Sequence, residues 1–187
     1  AARASQGHIG RARHLAKSEE ARTRRQAILK ISLLITDVAS AFKAAQVLVE
    51  AAKAEAEEEA EKRDDAELAS LKEAWGQQGS KLTQGGAKVV KDLEKEQKSR
   101  TTRMVRDYLD RALLDIATLY RDILLIQANS LDSTINTDLI SEITKISNST
   151  TPEATLAKLE AIMSARTNLS HNAAPLLTIE ALMVSLK

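Results

Sequence analysis

The feature that most constrains this chain is an apolar pattern that recurs at alternating four- and three-residue steps. Its members are Val105, Leu109, Ala112, Ile116, Leu119, Ile123 and Ile126. This spacing puts the apolar side chains on one face of an α-helix and is typical of a helix packed in a bundle. A half-buried strand would instead need apolar residues at every second position, and no such segment is evident.

Further helical signals lie on both sides of this pattern. Ser18 can cap a helix that ends near Ser32, while Asn136 and the sequence Thr151-Pro152-Glu153 can begin two others. A second apolar face comprises Leu34, Val38, Ala41, Ala45, Leu48 and Ala52. A last face, after a break from Asn172 to Pro175, comprises Leu176, Ile179, Met183 and Leu186. With only two prolines among 187 residues, the sequence predicts an all-α fold built as a helical bundle.

Charge is unevenly distributed along the chain, although the net charge is only +1. Residues 50–67 hold nine acidic and three basic side chains, whereas residues 81–106 hold eight basic and three acidic ones. A glycine-rich break, Gly76 to Gly86, separates the two blocks. Folding back at this break would set opposite charges against each other. The sequence therefore predicts a long charged antiparallel helical hairpin, about residues 53–103, which projects from the bundle and is held by weak exposed ion pairs.

No recognisable catalytic or metal-binding motif is present in the sequence. It contains no cysteine and no Gly-x-Ser-x-Gly stretch of the kind that carries a serine nucleophile. Gly85-Gly86-Ala87-Lys88 is only a fragment of a phosphate-binding loop, without the strand that precedes one. His8, His14 and His171 lack the spacing of helical metal ligands. We therefore expect this chain not to be an enzyme and to hold no cofactor.

The sequence contains two sets of charged residues for which two roles each remain open. The basic cluster Arg22, Arg24, Arg25 and Lys30 could contact phosphates, including those of DNA, or only keep a half-exposed helix soluble. Arg121 and Asp122 follow Tyr120 in the most apolar helix, where an unpaired buried charge would cost several kcal/mol. These two residues form either an ordinary ion pair on the flank of the helix or a contact with another subunit.

Three stretches, taken in order, resemble the delta-prime subunits of the bacterial DNA polymerase III clamp loader. They are Gly7 to Arg13, Leu119 to Leu125 and Asn172 to Leu182. The resemblance implies the carboxy-terminal part of such a subunit. Residues 1–30 would be the end of the AAA+ lid domain, and residues 31–187 the helical collar domain. The acidic segment of the predicted hairpin is not part of the common pattern, and the missing initiator methionine also leads us to expect a fragment.

The resemblance also implies partners and site residues. The partners would be the tau or gamma and delta subunits of a hetero-pentamer, which hydrolyses ATP and loads the sliding clamp onto primed DNA in the replisome. The lid motif that senses nucleotide in the ATP-binding subunits would fall on Gly7, Gly10 and Arg11. The position of its sensing arginine would fall on Gly10, so this chain departs there from the pattern of those subunits. Candidate residues for the subunit interface are Tyr120, Arg121, Asp122, Asn172 and Pro175.

Two other classes of function remain open from the sequence. The first is a coiled-coil adaptor or scaffold unrelated to replication, which the long charged helices favour. The second is a direct nucleic-acid binder, which the alternating acidic and basic blocks disfavour. Because there is no cysteine, no apparent signal peptide and no apolar run long enough for a bilayer, we expect a cytoplasmic location at the nucleoid and no membrane partner.

Overall fold

The computed structural model of the protein describes residues 3–5, 7–74 and 86–187. Seven α-helices lie in these ranges: α1 (Ile9–Lys17), α2 (Glu19–Leu33), α3 (Val38–Ala74), α4 (Gly86–Gln127), α5 (Ile140–Ser149), α6 (Pro152–Ser170) and α7 (Pro175–Ser185). Three short 3-10 turns accompany them, at Arg3–Ser5, Leu131–Ser133 and Thr137–Leu139. No strand occurs in the described ranges, so the predicted all-α fold is confirmed.

The chain divides into two compact units. The first unit contains the described residues up to Leu48 together with Asp110–Lys187, and the second contains Val49–Leu109. The long helices α3 and α4 each contribute residues to both units. The division expected from the resemblance, between a lid ending near residue 30 and a collar after it, stays a prediction.

The core of the first unit is built from apolar faces of α2, the start of α3, and α4 to α7. Its largest fully buried side chains are Leu29, Leu113, Ile116, Leu119, Ile123, Ile143, Ile162, Leu169, Ile179 and Met183. Each buried Leu or Ile side chain of this size contributes about 1.5–3 kcal/mol through the hydrophobic effect. On α4 the predicted periodic face is buried from Val105 to Ile123, and only Ile126, at its end, is partly exposed.

Most of the predicted helix starts are confirmed. The Ser18 hydroxyl accepts a hydrogen bond from the backbone N–H of Ala21 at 3.0 Å, and α2 begins at the next residue. The Thr151 hydroxyl accepts from the N–H of Ala154 at 3.2 Å, with Pro152 at the first position of α6. Asn136 precedes a 3-10 turn that leads into α5, but its side chain makes no capping bond there.

The predicted apolar face that begins at Leu34 is wrong at its start. Helix α2 ends at Leu33, and α3 begins only at Val38. Asp37 and Ser40 interrupt the helix by capping each other: the N–H of Ser40 donates to Asp37 Oδ1 at 2.7 Å, and the N–H of Asp37 donates to Ser40 Oγ at 3.0 Å. Such local side-chain bonds compete with a continuous helix. Leu34 and Val38 are consequently exposed, whereas Ala41, Ala45, Leu48 and Ala52 are buried as expected.

The second unit is held along an alanine seam. Ala52, Ala56 and Ala60 of α3 are buried there, and Val105 and Leu109 of α4 are buried in the same unit. Small side chains let helices approach closely but bury little apolar area, so this packing is weaker per residue than that of the first unit. Trp75 and the glycine-rich break as far as residue 85 lie outside the described residues, and the projecting hairpin stays a prediction.

Polar contacts between α3 and α4 in the second unit show how the two helices run relative to each other. The Tyr108 hydroxyl contacts the Glu59 carboxylate, and further along α3 the Arg100 guanidinium donates to Glu67 Oε1 at 3.0 Å. As the residue number rises on α3, that of its partner falls on α4. The two segments are therefore antiparallel where they touch.

Candidate functional site

A buried polar network in the first unit is centred on Asp122 of α4. Its side chain is 0% exposed. Its Oδ2 accepts hydrogen bonds from the backbone N–H groups of Ile135 at 2.9 Å and Asn136 at 2.7 Å, and from Asn136 Nδ2 at 2.8 Å. Hydrogen bonds to a carboxylate are stronger than those between neutral groups. Asp122 therefore fixes the segment between α4 and α5 against α4.

Arg25 of α2 extends the same network. Its Nη2 donates to Asn136 Oδ1 at 2.5 Å and to Thr118 Oγ1 at 3.1 Å, and its Nε donates to Asp115 Oδ1 at 2.8 Å. Arg11 of α1 also forms an ion pair with Asp115. Burial raises the pKa of Asp115 above its ordinary value, and the two guanidinium groups offset that only in part. Arg11 of α1 and Arg25 of α2 thus both form ion pairs with the Asp115 carboxylate of α4.

Of the candidate lid-motif residues, Gly7 lies in the corner that precedes α1, and Gly10 and Arg11 lie in the first turn of that helix. Gly7 has a φ of +87°, a left-handed conformation that favours glycine. His8 caps α1, because its Nδ1 accepts from the N–H of Arg11 at 3.2 Å. A Cβ added at Gly10 would approach His8 Cε1 to 3.2 Å, so the absence of a side chain there leaves room for the cap. The guanidinium of Arg11 is occupied by Asp115.

The arginines of the N-terminal basic cluster have partners within the chain. Arg22 Nη1 donates to the carbonyl oxygens of Leu15 at 3.1 Å and Ala16 at 3.2 Å, in the last turn of α1. Arg24 pairs with Glu20 at 2.9 Å, and Arg25 belongs to the buried network. Cations near the end of a helix stabilise its last carbonyls. These contacts favour a structural role for the three arginines over a phosphate site.

The interface candidates on α4 differ in how much of each side chain is exposed to solvent. Tyr120 is 6% exposed, and burial raises its pKa to about 12. Asp122 is covered completely by its own chain. Arg121 is exposed, with its Nη1 donating to the Ser133 carbonyl at 3.3 Å and to Asp122 at 3.3 Å. Of these three side chains, the Arg121 guanidinium is the one that another molecule could contact directly.

The other interface candidates shape the corner between α6 and α7. Asn172 has a left-handed φ of +64°. The N–H of Ala173 donates to the Asn168 carbonyl at 3.0 Å, which closes the end of α6 in a common helix-ending motif. Pro175 then begins α7. Asn172 is exposed and Pro175 is partly exposed.

Large apolar side chains are exposed on α6 and α7, and most of them were not singled out from the sequence. This exposed apolar set comprises Leu156 at 50%, Met163 at 40%, Leu176 at 41% and Leu177 at 68% exposure. Leu156 and Met163 are seven residues apart and share one face of α6. Leu176 belongs to the apolar face predicted for α7, whose other members Ile179, Met183 and Leu186 are buried. The seven-residue spacing on α6 is the sequence signal that could have revealed the exposed face.

The helices that carry the exposed apolar set are held firmly at other points. Arg166 of α6 makes a two-pronged ion pair with Asp110 of α4, at 2.7 Å from Nε to Oδ1 and 3.1 Å from Nη2 to Oδ2. Lys158 Nζ donates to the carbonyls of Leu186 and Lys187, each at 2.9 Å. Partial burial lowers the pKa of Lys158. The exposed apolar set is therefore carried by anchored helices.

Neither a metal centre nor a membrane-spanning helix is found in residues 3–5, 7–74 and 86–187. No three His, Cys, Asp or Glu residues in those ranges are grouped so that they could hold a metal ion. The helices there do not combine the length and the apolar character needed to cross a bilayer. Comparison of the chain with protein-family models, curated proteins and solved structures found no match.

Proposed function

We propose that this chain is an assembly module, the collar region of a delta-prime subunit in a bacterial clamp loader. In this role it carries out no reaction and needs no cofactor. Its bundle joins the tau or gamma and delta subunits in a hetero-pentamer, and ATP hydrolysis by those partners loads the sliding clamp onto primed DNA. The observation that carries the proposal is the exposed apolar set on α6 and α7.

The exposed apolar set has the character of a protein-binding surface. Its four members are 40–68% exposed, although α6 buries Ile162 and Leu169 and α7 buries Ile179 and Met183. Scattered exposed apolar residues are common, but several on one helix pair are typical of contact surfaces. Covering them with a partner would remove apolar area from water at about 25 cal/mol per Å².

Neighbouring polar residues can form the rim of this surface. Asn172 and Pro175 lie directly before Leu176 and Leu177, and the left-handed turn at Asn172 sets the direction of α7. Interfaces between subunits commonly place apolar side chains at the centre and polar ones at the edge. Asn172 and Pro175 therefore remain interface candidates, together with Arg121 on α4.

The three stretches that resemble delta-prime subunits have defined roles in the first unit. Gly7 to Arg13 forms the corner before α1 and the first part of that helix, Leu119 to Leu125 holds Asp122 of the buried network, and Asn172 to Leu182 forms the corner before α7 and most of that helix. The three stretches that resemble delta-prime subunits thus lie at helix corners and around a buried polar group. This placement supports the proposal that the chain and those subunits have the same kind of helical bundle. In this proposal residues 1–30 end the lid, residues 31–187 form the collar, and the charged hairpin projects from it.

Reconstitution with the partner subunits tests the assembly role. The chain is mixed with tau or gamma and delta subunits, and the molar mass is measured by size-exclusion chromatography with light scattering. We expect it to enter a five-subunit complex. The double substitution Leu176→Ser with Leu177→Ser should weaken this association by about 3 kcal/mol, roughly a hundredfold, because it removes two contacts at the interface centre.

Leu131→Ser is the matched control, since Leu131 is also a leucine, is 54% exposed, and belongs to a 3-10 turn outside α6 and α7. It should leave the complex unchanged. A chain that stays monomeric in the full mixture contradicts the proposal. A chain that forms only oligomers of itself would instead indicate the adaptor class.

A further inference from the structure

Helices α1 and α2, here called the α1–α2 pair, bury few large apolar side chains. In residues 7–33, all of which the structure describes, the buried ones are Leu15 and Leu29. The buried large apolar side chains of α6 and α7 are Ile162, Leu169, Ile179, Leu182 and Met183. Because burial of apolar surface is the dominant favourable term in folding, we expect the α1–α2 pair to be the more weakly held of the two helix pairs.

The α1–α2 pair is attached to α4 through a single carboxylate oxygen, Oδ1 of Asp115. Arg11 Nη2 of α1 forms an ion pair with this oxygen, and Arg25 Nε of α2 donates to it at 2.8 Å. The three side chains are only 8–12% exposed. Burying such charges is costly unless they are paired, and burial raises the pKa of Asp115 despite both guanidinium groups. The attachment therefore depends on all three charges being present.

Helix α2 has further polar contacts, which reach neutral acceptors or lie at the surface. Arg25 Nη2 donates to Thr118 Oγ1 at 3.1 Å and to Asn136 Oδ1 at 2.5 Å. At the surface, Gln26 Nε2 donates to Asp138 Oδ2 at 3.1 Å. None of these contacts brings a carboxylate to either buried guanidinium group. The α4 carboxylate therefore remains their counter-charge.

The rest of the bundle has polar contacts that do not involve α1 or α2. Asp122 of α4 accepts from the backbone N–H groups of Ile135 and Asn136, which fixes the segment before α5. Arg166 of α6 makes its two-pronged ion pair with Asp110 of α4. These contacts and the apolar core of α4 to α7 would persist if the α1–α2 pair moved away.

A joint for such a movement lies between α2 and α3. Residues 34–37 are not helical. The cap formed by Asp37 and Ser40 belongs to the start of α3 and uses no group of α2. Helix α3 can therefore keep its first turn while α2 changes direction.

We propose that the α1–α2 pair opens from the bundle as a unit while α4 to α7 stay folded, and that Asp115 keeps it closed. Regions with few buried apolar contacts are the ones that open locally. Opening exposes Leu29, but it returns the carboxylate and both guanidinium groups to water. The inference does not depend on the assembly role. Its consequence for the clamp loader does rest on that role: residues 1–30 would end the lid, and Asp115 would determine whether lid and collar move as one body.

Hydrogen exchange of the full chain at rising but sub-denaturing urea concentrations tests the opening. Opening of the α1–α2 pair exposes less surface than complete unfolding, so the exchange that it permits should depend less on urea. Amides of α1 and α2 should share one such weak dependence and exchange at least about tenfold faster than those of α6 and α7. The same urea dependence in all four helices would overturn the proposal, because the chain would then open only as a whole. Different dependences in α1 and α2 would overturn it too, because the two helices would not move together.

Asp115→Ala tests the role of the carboxylate. It leaves Arg11 and Arg25 as buried charges without their counter-charge, and opening lets water solvate both. Protection of α1 and α2 should fall to within about tenfold of an unfolded chain, whereas α6 and α7 should stay protected at least about a hundredfold. Asp107→Ala is the matched control, since Asp107 is exposed on the same helix and the change in helix propensity is the same. It should leave protection in all four helices within about twofold.

The results for Asp115→Ala separate three cases. Loss of protection confined to α1 and α2 supports the proposal. Unchanged protection of α1 and α2 would overturn it, because Asp115 would then not keep the pair closed. Loss of protection in all four helices together would also overturn it, because the pair would not be separable from the bundle. These measurements use the chain alone, so a failure to assemble with tau or gamma and delta subunits would contradict the proposed function and leave this inference standing.

Discussion

Asp122 shows how a single charged residue in an apolar helix organises its surroundings. Its carboxylate is fully buried. It accepts hydrogen bonds from the backbone N–H of Ile135, from the backbone N–H and the side-chain Nδ2 of Asn136, and from Arg121 Nη1. Without these donors the buried charge would destabilise the fold by several kcal/mol. The segment before α5 therefore owes its conformation to a residue of α4.

Replacing Asp122 tests this network. Asp122→Ala should lower the free energy of unfolding by about 3–5 kcal/mol, because it leaves several buried N–H donors without an acceptor. Urea denaturation followed by circular dichroism measures the change. Asp132→Ala, at an exposed position on the following 3-10 turn, should change it by less than about 0.5 kcal/mol. Equal effects of the two substitutions would mean that the network contributes little.

At the residue scale, the sequence predicted only part of this arrangement. It showed that Arg121 and Asp122 needed partners within an apolar helix, because unpaired buried charges are costly. It did not identify Asn136 as the partner, since Asn136 lies fourteen residues away and had been assigned to a helix cap. Hydrogen bonds across such a distance depend on how the chain turns back, which local pattern does not encode.

At the scale of single elements, apolar periodicity located α4 and its buried face, because seven apolar residues leave few alternatives. It joined Leu34 to α3 incorrectly, since Leu34 and Val38 continue the same spacing. The mutual cap of Asp37 and Ser40 ends that continuity. Side-chain hydrogen bonds can therefore overrule periodicity at the boundary of a helix.

Between α3 and α4, the Arg100 guanidinium lowers the pKa of Glu67, and Glu67 in turn raises that of Arg100. Because the pKa of Glu67 is lower in the folded state, its contribution to stability is present above the ordinary pKa of a glutamate. That contribution is lost as the pH falls through the lowered value. The ion pair should thus hold α3 and α4 together at neutral pH and release in acid.

Carboxyl resonances in an NMR titration measure this effect. In the unchanged chain the pKa of Glu67 should lie below that of an ordinary glutamate, and Arg100→Gln should raise it towards the ordinary value, because Arg100 is the largest cause of the lowering. Lys98→Gln, two residues away on the exposed face, is the control and should leave Glu67 nearly unchanged. Ordinary titration of Glu67 in the unchanged chain would show that the pair does not form in solution.

At the scale of the whole molecule, composition and periodicity were sufficient to predict helices throughout. They could not show which apolar faces are covered. Helix α6 carries Leu156 and Met163 on one face and Ile162 and Leu169 on another, and only the second face is buried. The sequence of such a helix does not indicate which apolar face packs against other helices of the chain and which face remains exposed for a partner.

Hydrogen–deuterium exchange on the proposed assembly, formed by mixing the chain with tau or gamma and delta subunits, tests the central claim most directly. On assembly, amides of residues 176–178 in the first turn of α7, and those around Leu156 and Met163 on α6, should become protected, since a partner covers the apolar side chains there. Amides of Leu131–Ser133 should exchange as they do in the isolated chain. Unchanged exchange along α6 and α7 in a complex that has formed would contradict the assignment of this surface as the subunit interface.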